Sequence, residues 1–162
     1  MECSDFIGQL EVFRGLAKPE LMLIEPCCLV KKFKQEDRLF REDEEAKYLW
    51  GIISGKVDLR FDLPARETEE ALTISRIEEG GIFGWSSMIP PFFYRLSAYC
   101  VSKGLEVIQI ERACLTKVFE AEPRIGYLVM SNIAQVIAAR FQALQDELAF
   151  REGSELLFKS DW

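Results

Sequence analysis

The stretch Gly80-Gly81-Ile82-Phe83-Gly84-Trp85-Ser86-Ser87-Met88-Ile89-Pro90-Pro91-Phe92-Phe93-Tyr94-Arg95-Leu96-Ser97-Ala98-Tyr99-Cys100-Val101 decides how the rest of the chain is read. Its glycines end a short strand at Phe83, and Gly84 allows a tight turn that a side chain would block. Trp85–Ile89 has the length of one helical turn, and Pro90-Pro91 stops it. The first turn of any helix presents unpaired N–H groups and a positive partial charge. Arg95 follows where the chain returns towards that turn, and free N–H groups facing a guanidinium form a compact anion site. Taken alone, Arg95 reads more readily as a surface or salt-bridged residue, and the glycines as ordinary turn chemistry.

Around this stretch, short apolar segments alternate with polar punctuation from Cys28 to Ile110. The strand-like segments are Leu29–Phe33, Arg38–Phe40, Tyr48–Ile53, Lys56–Phe61, Ala71–Ile77, Ile82–Phe83, Leu96–Val101 and Leu105–Ile110. Val57, Leu59 and Phe61 alternate with Lys56, Asp58 and Arg60, the period of a half-buried strand. Ser54-Gly55 suits a two-residue hairpin turn, and Asp62–Glu70, around Pro64, reads as an exposed hairpin tip. Tight turns between so many short strands predict a small antiparallel roll or barrel.

Helical patterns flank this block. Phe6, Leu10, Phe13 and Leu16 recur at helical spacing, and a second short helix follows Pro19 until Pro26 ends it. Arg112–Glu120 predicts a helix, and Pro123 opens a longer one that runs to about Glu152 and closes at Gly153. On it Tyr127, Met130, Ala134, Ile137, Phe141, Leu144 and Leu148 alternate three and four apart, a heptad stripe. Val129, Ile133 and Val136 form a second apolar face. A helix apolar on two sides packs its own domain with one and is free to meet a partner with the other. The expectation is a homodimer through Met130, Ala134, Ile137, Phe141 and Leu144; the alternative is that both faces bury within one domain. The whole reads as one α+β domain over 1–162, with the roll at about 28–110 and C-terminal helices at about 112–152.

Composition narrows the function. At 162 residues, 49% hydrophobic and 29% charged, the chain is neither disordered nor a low-complexity linker. The net charge of −7 argues against holding nucleic acid by its phosphates. With no histidine, the commonest general base and metal ligand are missing, so an enzyme is the least favoured class and no metal is expected. The five cysteines, Cys3, Cys27, Cys28, Cys100 and Cys114, lack a C-x-x-C pair and read as buried thiols in a reducing cytoplasm. The uncharged runs Gly80–Tyr94 and Ile125–Ala139 are too short to span a membrane, which needs about 20 residues. Localisation is therefore expected to be cytoplasmic.

Several motifs together resemble the cyclic-nucleotide-binding domain of catabolite-activator-like regulators, kinase regulatory subunits and gated channels. Phe83-Gly84 stands before Trp85, and Arg95-Leu96-Ser97-Ala98 follows ten residues after Trp85, like that family's phosphate-binding cassette. Ile52-Ile53-Ser54-Gly55-Lys56-Val57 resembles its strand-turn-strand signature, Leu39-Phe40-Arg41-Glu42 its preceding strand, and Phe13-Arg14-Gly15-Leu16 its opening helix. The resemblance spans about residues 10–148 and implies an antiparallel β-roll flanked by N-terminal helices and a long C-terminal dimerisation helix. It also implies a ligand site at Gly84, Trp85, Ser86, Ser87, Arg95, Leu96 and Ser97.

The chain departs from the family where the ligand is read. The family glutamate that binds the ribose 2′-hydroxyl is Trp85 here, and an indole N–H donates but cannot accept. Losing that carboxylate costs about 1.5–3 kcal/mol. Leu96 replaces a small or hydroxyl residue beside the arginine, and two family glycines appear as Glu36 and Asp43. Trp85 either stacks on a flat ligand or fills the vacated sugar site. Phe92, Phe93 and Tyr94 either pack against the roll or form a lid.

The expected function is a regulatory module that senses a small anionic ligand, a cyclic nucleotide or another small phosphate, without a cofactor, and signals through the long helix. The alternatives are a dimerisation or docking domain that binds no nucleotide and meets an unidentified protein partner, and a transcription regulator lacking its DNA-binding part. Whether Trp85 and Leu96 fill the site separates the first two. Neither expects direct nucleic-acid or membrane contact.

Overall fold

The computed structural model describes residues 3–63 and 72–159. The chain opens with a short helix α1 (Cys3–Ile7), a 3-10 turn at Glu11–Phe13, helix α2 (Lys18–Ile24) and a second 3-10 turn at Glu25–Cys27 that contains Pro26. The Glu20 carboxylate accepts the Ala17 N–H at 2.7 Å and so caps α2. Eight strands follow among the described residues: β1 (Cys28–Lys34), β2 (Arg38–Phe40), β3 (Tyr48–Ser54), β4 (Val57–Arg60), β5 (Thr73–Ile77), β6 (Ile82–Phe83), β7 (Ser97–Cys100) and β8 (Gly104–Glu111). Helices α3 (Arg112–Ala121) and α4 (Pro123–Lys159) end the described chain.

The strands form two antiparallel four-stranded sheets, ordered β1-β8-β3-β6 and β2-β7-β4-β5. Their facing surfaces enclose the interior of the roll: Phe40, Trp50, Ile52, Val57, Leu59, Phe83, Tyr94, Ala98 and Val107. The period-two pleat turns Leu49, Ile108 and Ile110 to the other side of the first sheet. There they meet Ile7, Leu10, Phe13, Ile24 and Leu115, with Ile125, Val129 and Ile133 of α4. Each side chain fully buried this way contributes about 1.5–3 kcal/mol of transfer free energy. The α+β class and the flanked roll are therefore as the sequence predicts.

Four expectations change. Ser54-Gly55 does not close a hairpin: β3 and β4 lie in different sheets, so this turn carries the chain across the roll. The segment β4 is buried along its whole length, because Asp58 and Arg60 are covered along with Val57 and Leu59. Helix α4 runs through Gly153 to Lys159, since one glycine lowers helix propensity by only about 1 kcal/mol. Most directly, Cys27 and Cys114 form a disulfide with Cα atoms 5.3 Å apart, joining the turn before β1 to α3. A sequence separation of 87 residues hid this pairing, and it removes the free-thiol support for a reducing cytoplasm. Cys100 is a buried free thiol. Among the described residues no helix is long and apolar enough to cross a membrane. The expected hairpin tip at Asp62–Glu70 lies mostly outside the described residues.

Glu36 and Asp43, which stand where the resemblance expects glycine, nonetheless hold left-handed backbone, with φ of +72° and +67°. Such a conformation costs a non-glycine residue about 1–3 kcal/mol. The turns are held by tertiary contacts instead: Glu36 N–H donates to Cys100 C=O at 2.8 Å, and Asp43 N–H to Tyr94 C=O at 2.9 Å.

Candidate functional site

The cassette begins where β6 ends. Gly84 adopts φ +71°, and a Cβ there would come within 2.8 Å of Trp50 Cδ1 and 3.2 Å of Tyr48 O. Glycine is thus required twice, by conformation and by space. Trp85–Met88 follows as one 3-10 turn. The chain then passes through a cis Pro90-Pro91 peptide and returns along Phe92–Arg95. This return is pinned to its neighbours. Ala46 N–H donates to Phe92 C=O at 2.7 Å and Tyr94 N–H to Glu44 C=O at 3.0 Å. The Arg112 guanidinium at the start of α3 lies 4.2 Å from the centre of the Phe92 ring. The cassette loop therefore touches the first residue of the helical connection to α4.

Gly84, Trp85, Ser86, Arg95 and Leu96 come together around one cavity, with Phe40, Leu59 and Tyr94 completing its wall. Arg95 is exposed and has no ion-pair partner among the described residues. Two further sequence candidates lie elsewhere. Ser97 is fully buried; its hydroxyl accepts the Glu42 N–H at 2.8 Å and donates to the Asp62 carboxylate. Ser87 is also fully buried, and its Oγ has no hydrogen-bond partner among the described residues.

The cavity is small, about 50 Å³. A water molecule occupies about 30 Å³ in the liquid, whereas pockets for drug-sized ligands run to about 300–1,000 Å³. What occupies the space is aromatic. The Phe40 and Tyr94 rings stack with centroids 3.7 Å apart and planes 12° from parallel. Trp50 Nε1–H donates to Tyr94 Oη at 3.1 Å, and Tyr94 Oη–H donates to the Tyr48 carbonyl at 2.8 Å. Burial pushes the Tyr94 phenol above its usual pKa, so it remains a neutral donor. Phe83 lies against both Phe40 and Trp50, with centroids 6.0 Å away in each case.

Trp85 does not join this stack. It packs, half-buried, against the helical layer together with Met88. Leu96 packs against the roll interior. Of the two options for filling the site, Leu96 takes part, whereas the filling attributed to Trp85 is done chiefly by Phe40 and Tyr94. Sequence reasoning passed over Phe40 and Trp50, which are ordinary strand aromatics until the fold stacks them.

On the long helix, Met130 and Ile137 are half-covered by the chain's own helical core. Beyond them the stripe is uncovered: Phe141 is 61% exposed, Leu148 61% and Leu144 39%. Tyr127 and Ala134 are exposed as well.

Comparison with known proteins agrees with this architecture. The family model for the cyclic nucleotide-binding domain matches residues 30–122, and the chain belongs to that family. A putative cyclic nucleotide-binding protein from Geobacter metallireducens GS-15 is 27% identical, with a TM-score of 0.74 over 87% of this chain and 99% of that one. A cyclic nucleotide-binding domain from Methylobacillus flagellatus KT superposes with a TM-score of 0.75 at 21% identity, over 93% of this chain and 82% of that one. The catabolite activator protein of Thermus thermophilus, at 23% identity, gives 0.68 over 88% of this chain and 63% of that longer one. The last two share the fold alone. No curated protein sequence matches the chain.

Proposed function

We propose that this member of the cyclic nucleotide-binding family is a regulatory dimerisation module that works through α4 and whose cassette does not admit a cyclic nucleotide. The observation that carries this reading is the volume behind the cassette, about 50 Å³, bounded by Phe40, Leu59, Tyr94 and Leu96. A purine or pyrimidine ring has no room there unless the Phe40–Tyr94 stack separates. The replacement of the family glutamate by Trp85 points the same way, because the ribose hydroxyl would lose its charged acceptor. The exposed stripe Phe141, Leu144 and Leu148 supports a second copy as the occupant of the long helix. In this reading the chain carries no catalytic step and needs no cofactor.

Isothermal calorimetry and thermal unfolding with cyclic AMP and cyclic GMP should show no binding at millimolar ligand. Sedimentation should show a dimer that Ile137→Asp with Phe141→Asp converts to a folded monomer. Micromolar binding of either nucleotide, or a wild-type chain that stays monomeric at high concentration, sinks the corresponding half of the proposal. A second reading keeps a small anionic ligand at the cassette, favoured by the exposed Arg95 guanidinium beside the cavity, which has no ion-pair partner among the described residues. It predicts stabilisation by inorganic phosphate that disappears in Arg95→Ala.

A further inference from the structure

A larger cleft lies outside the roll. It runs between the N-terminal segment, the corner joining β5 to β6, and one flank of α4, and encloses about 700 Å³. That is within the range of small-molecule sites. Leu10, Ile77, Val136 and Ala139 supply its apolar wall, and Arg14 and Arg140 bring guanidinium groups to it.

Arg140 is the unusual member. Its Nη2 donates to the Ile82 carbonyl on β6, and its Nη1 is buried with no hydrogen-bond partner among the described residues. Its Nη2 also forms a long ion pair with Glu11 Oε1, 4.0 Å away, an oxygen that already accepts the Ile82 N–H at 3.0 Å. Burial of this charge pulls the Arg140 pKa down, opposed by Glu11. A buried charged donor left without an acceptor costs more than an unmet neutral group does. An incoming oxygen anion relieves that cost, and a guanidinium presents a fork suited to carboxylate or phosphate.

The other charges at the cleft are mostly committed. Glu78 pairs with Lys56 at 2.7 Å, and Arg76 pairs with Asp58 at 2.6 Å. Arg14 is exposed, with no ion-pair partner among the described residues, and Glu79 is the remaining carboxylate. In a dimer formed through the heptad stripe, Arg140 would lie at the flank of the stripe, and the cleft's Val136 and Ala139 would lie away from it. Residues two apart on a helix lie nearly on opposite sides, so Val136 faces away from Ala134, and Ala139 from Ile137 and Phe141.

We infer that this cleft is a second binding site, distinct from the cassette, for a small organic anion whose carboxylate or phosphate meets Arg140 and Arg14 and whose apolar body lies against Leu10, Ile77, Val136 and Ala139. Because Arg140 also holds Ile82, one residue before the cassette's Phe83-Gly84, such a ligand would clamp α4 to the strand that leads into the cassette. The inference does not depend on whether the cassette itself is closed.

The test is a titration of the full chain with phenyl phosphate and with benzoate, followed by thermal unfolding and by amide chemical shifts. Binding of either probe, with shifts at Gly80, Gly81 and Ala139, is the expected result. Arg140→Gln and Ala139→Glu should each weaken it at least tenfold. Ala139 is exposed, so the second variant separates loss of binding from loss of folding. No response to either probe at ten millimolar overturns the inference. So does a response that survives Ala139→Glu, or one that survives Arg140→Gln but is lost in Arg95→Gln, which would assign the anion to the cassette.

Discussion

The cassette cavity and the cleft beside α4 lie at opposite ends of β6, and they contrast in both volume and lining. The first keeps the backbone of an anion site, with Gly84 left-handed and Arg95 nearby, yet the space behind it is sealed by stacked rings. The second has no family motif, yet it is open and carries a half-buried guanidinium with an unmet donor. The backbone of a motif and the volume it serves are thus set by different residues. Gly84 is required by local geometry, whereas the volume depends on Phe40, Trp50 and Tyr94, brought in from three separate segments.

The strongest way to break this contrast is to remove the seal. Phe40 is 6% exposed and touches Trp50, Phe83 and Tyr94. Phe40→Ala should destabilise the fold by about 3–5 kcal/mol, the range for deleting a buried aromatic ring. Chemical denaturation measures that loss. The same variant should be stabilised by a small apolar ligand such as benzene or indole that the wild type ignores, because an apolar cavity stays dry and takes such guests. A loss below about 1 kcal/mol would mean the ring is not what fills the roll.

A second intervention acts at the edge of the open cleft. Asp58 is fully buried and accepts from Arg76 at 2.6 and 2.9 Å, from Thr73 at 3.1 Å and from Arg60 at 3.3 Å. Asp58→Ala leaves Arg60, itself 4% exposed, with an uncompensated charge. Breaking a buried pair from one side costs about 3–5 kcal/mol, and the low end applies here because the Arg76 side chain is 42% exposed. Burial pushes the Asp58 carboxyl up, but the hydrogen bonds from Arg76, Thr73 and Arg60 and the Arg76 charge outweigh it, so its pKa is lowered on folding. A depressed carboxylate adds stability above its unfolded pKa of about 3.9, and that stability is lost as pH falls from there through the folded value. Urea midpoints measured below pH 4 should therefore fall more steeply in the wild type than in Asp58→Ala. Parallel curves would show that Asp58 does not carry this acid sensitivity.

These two experiments also mark what the sequence could and could not reveal. Strand alternation, the glycine at position 84 and the proline at position 123 are local signals, and the structure places elements where they point. Ser54-Gly55 predicts a hairpin and instead crosses between sheets, because both kinds of turn use the same residues; only the pairing of β3 with β8 tells them apart. The Cys27–Cys114 bond and the Phe40–Tyr94 stack are contacts between distant segments, invisible to periodicity. Asp58 looked like the solvent side of a half-buried strand, because nothing local announces that Arg60, Arg76 and Thr73 will cover it. The Arg140 donor was hidden for the same reason: it lies on a helix, and its partner Ile82 is 58 residues away.

The smallest expected effect falls on the residue that the motif makes most conspicuous. Arg95 is exposed and holds no ion pair among the described residues, so Arg95→Ala removes a solvated side chain and leaves no buried group unmet. Substitutions of that kind change stability by about 0.5 kcal/mol or less. Thermal unfolding without ligand should therefore hardly distinguish Arg95→Ala from the wild type, while the same measurement in phosphate reports whether the guanidinium has any anion to hold. Equal curves in phosphate leave the cassette without a ligand and sharpen the contrast with the α4 cleft. A phosphate stabilisation that vanishes in Arg95→Ala erases the contrast, because both ends of β6 would then bind anions, one through an exposed arginine at a turn and the other through a half-buried arginine on the helix.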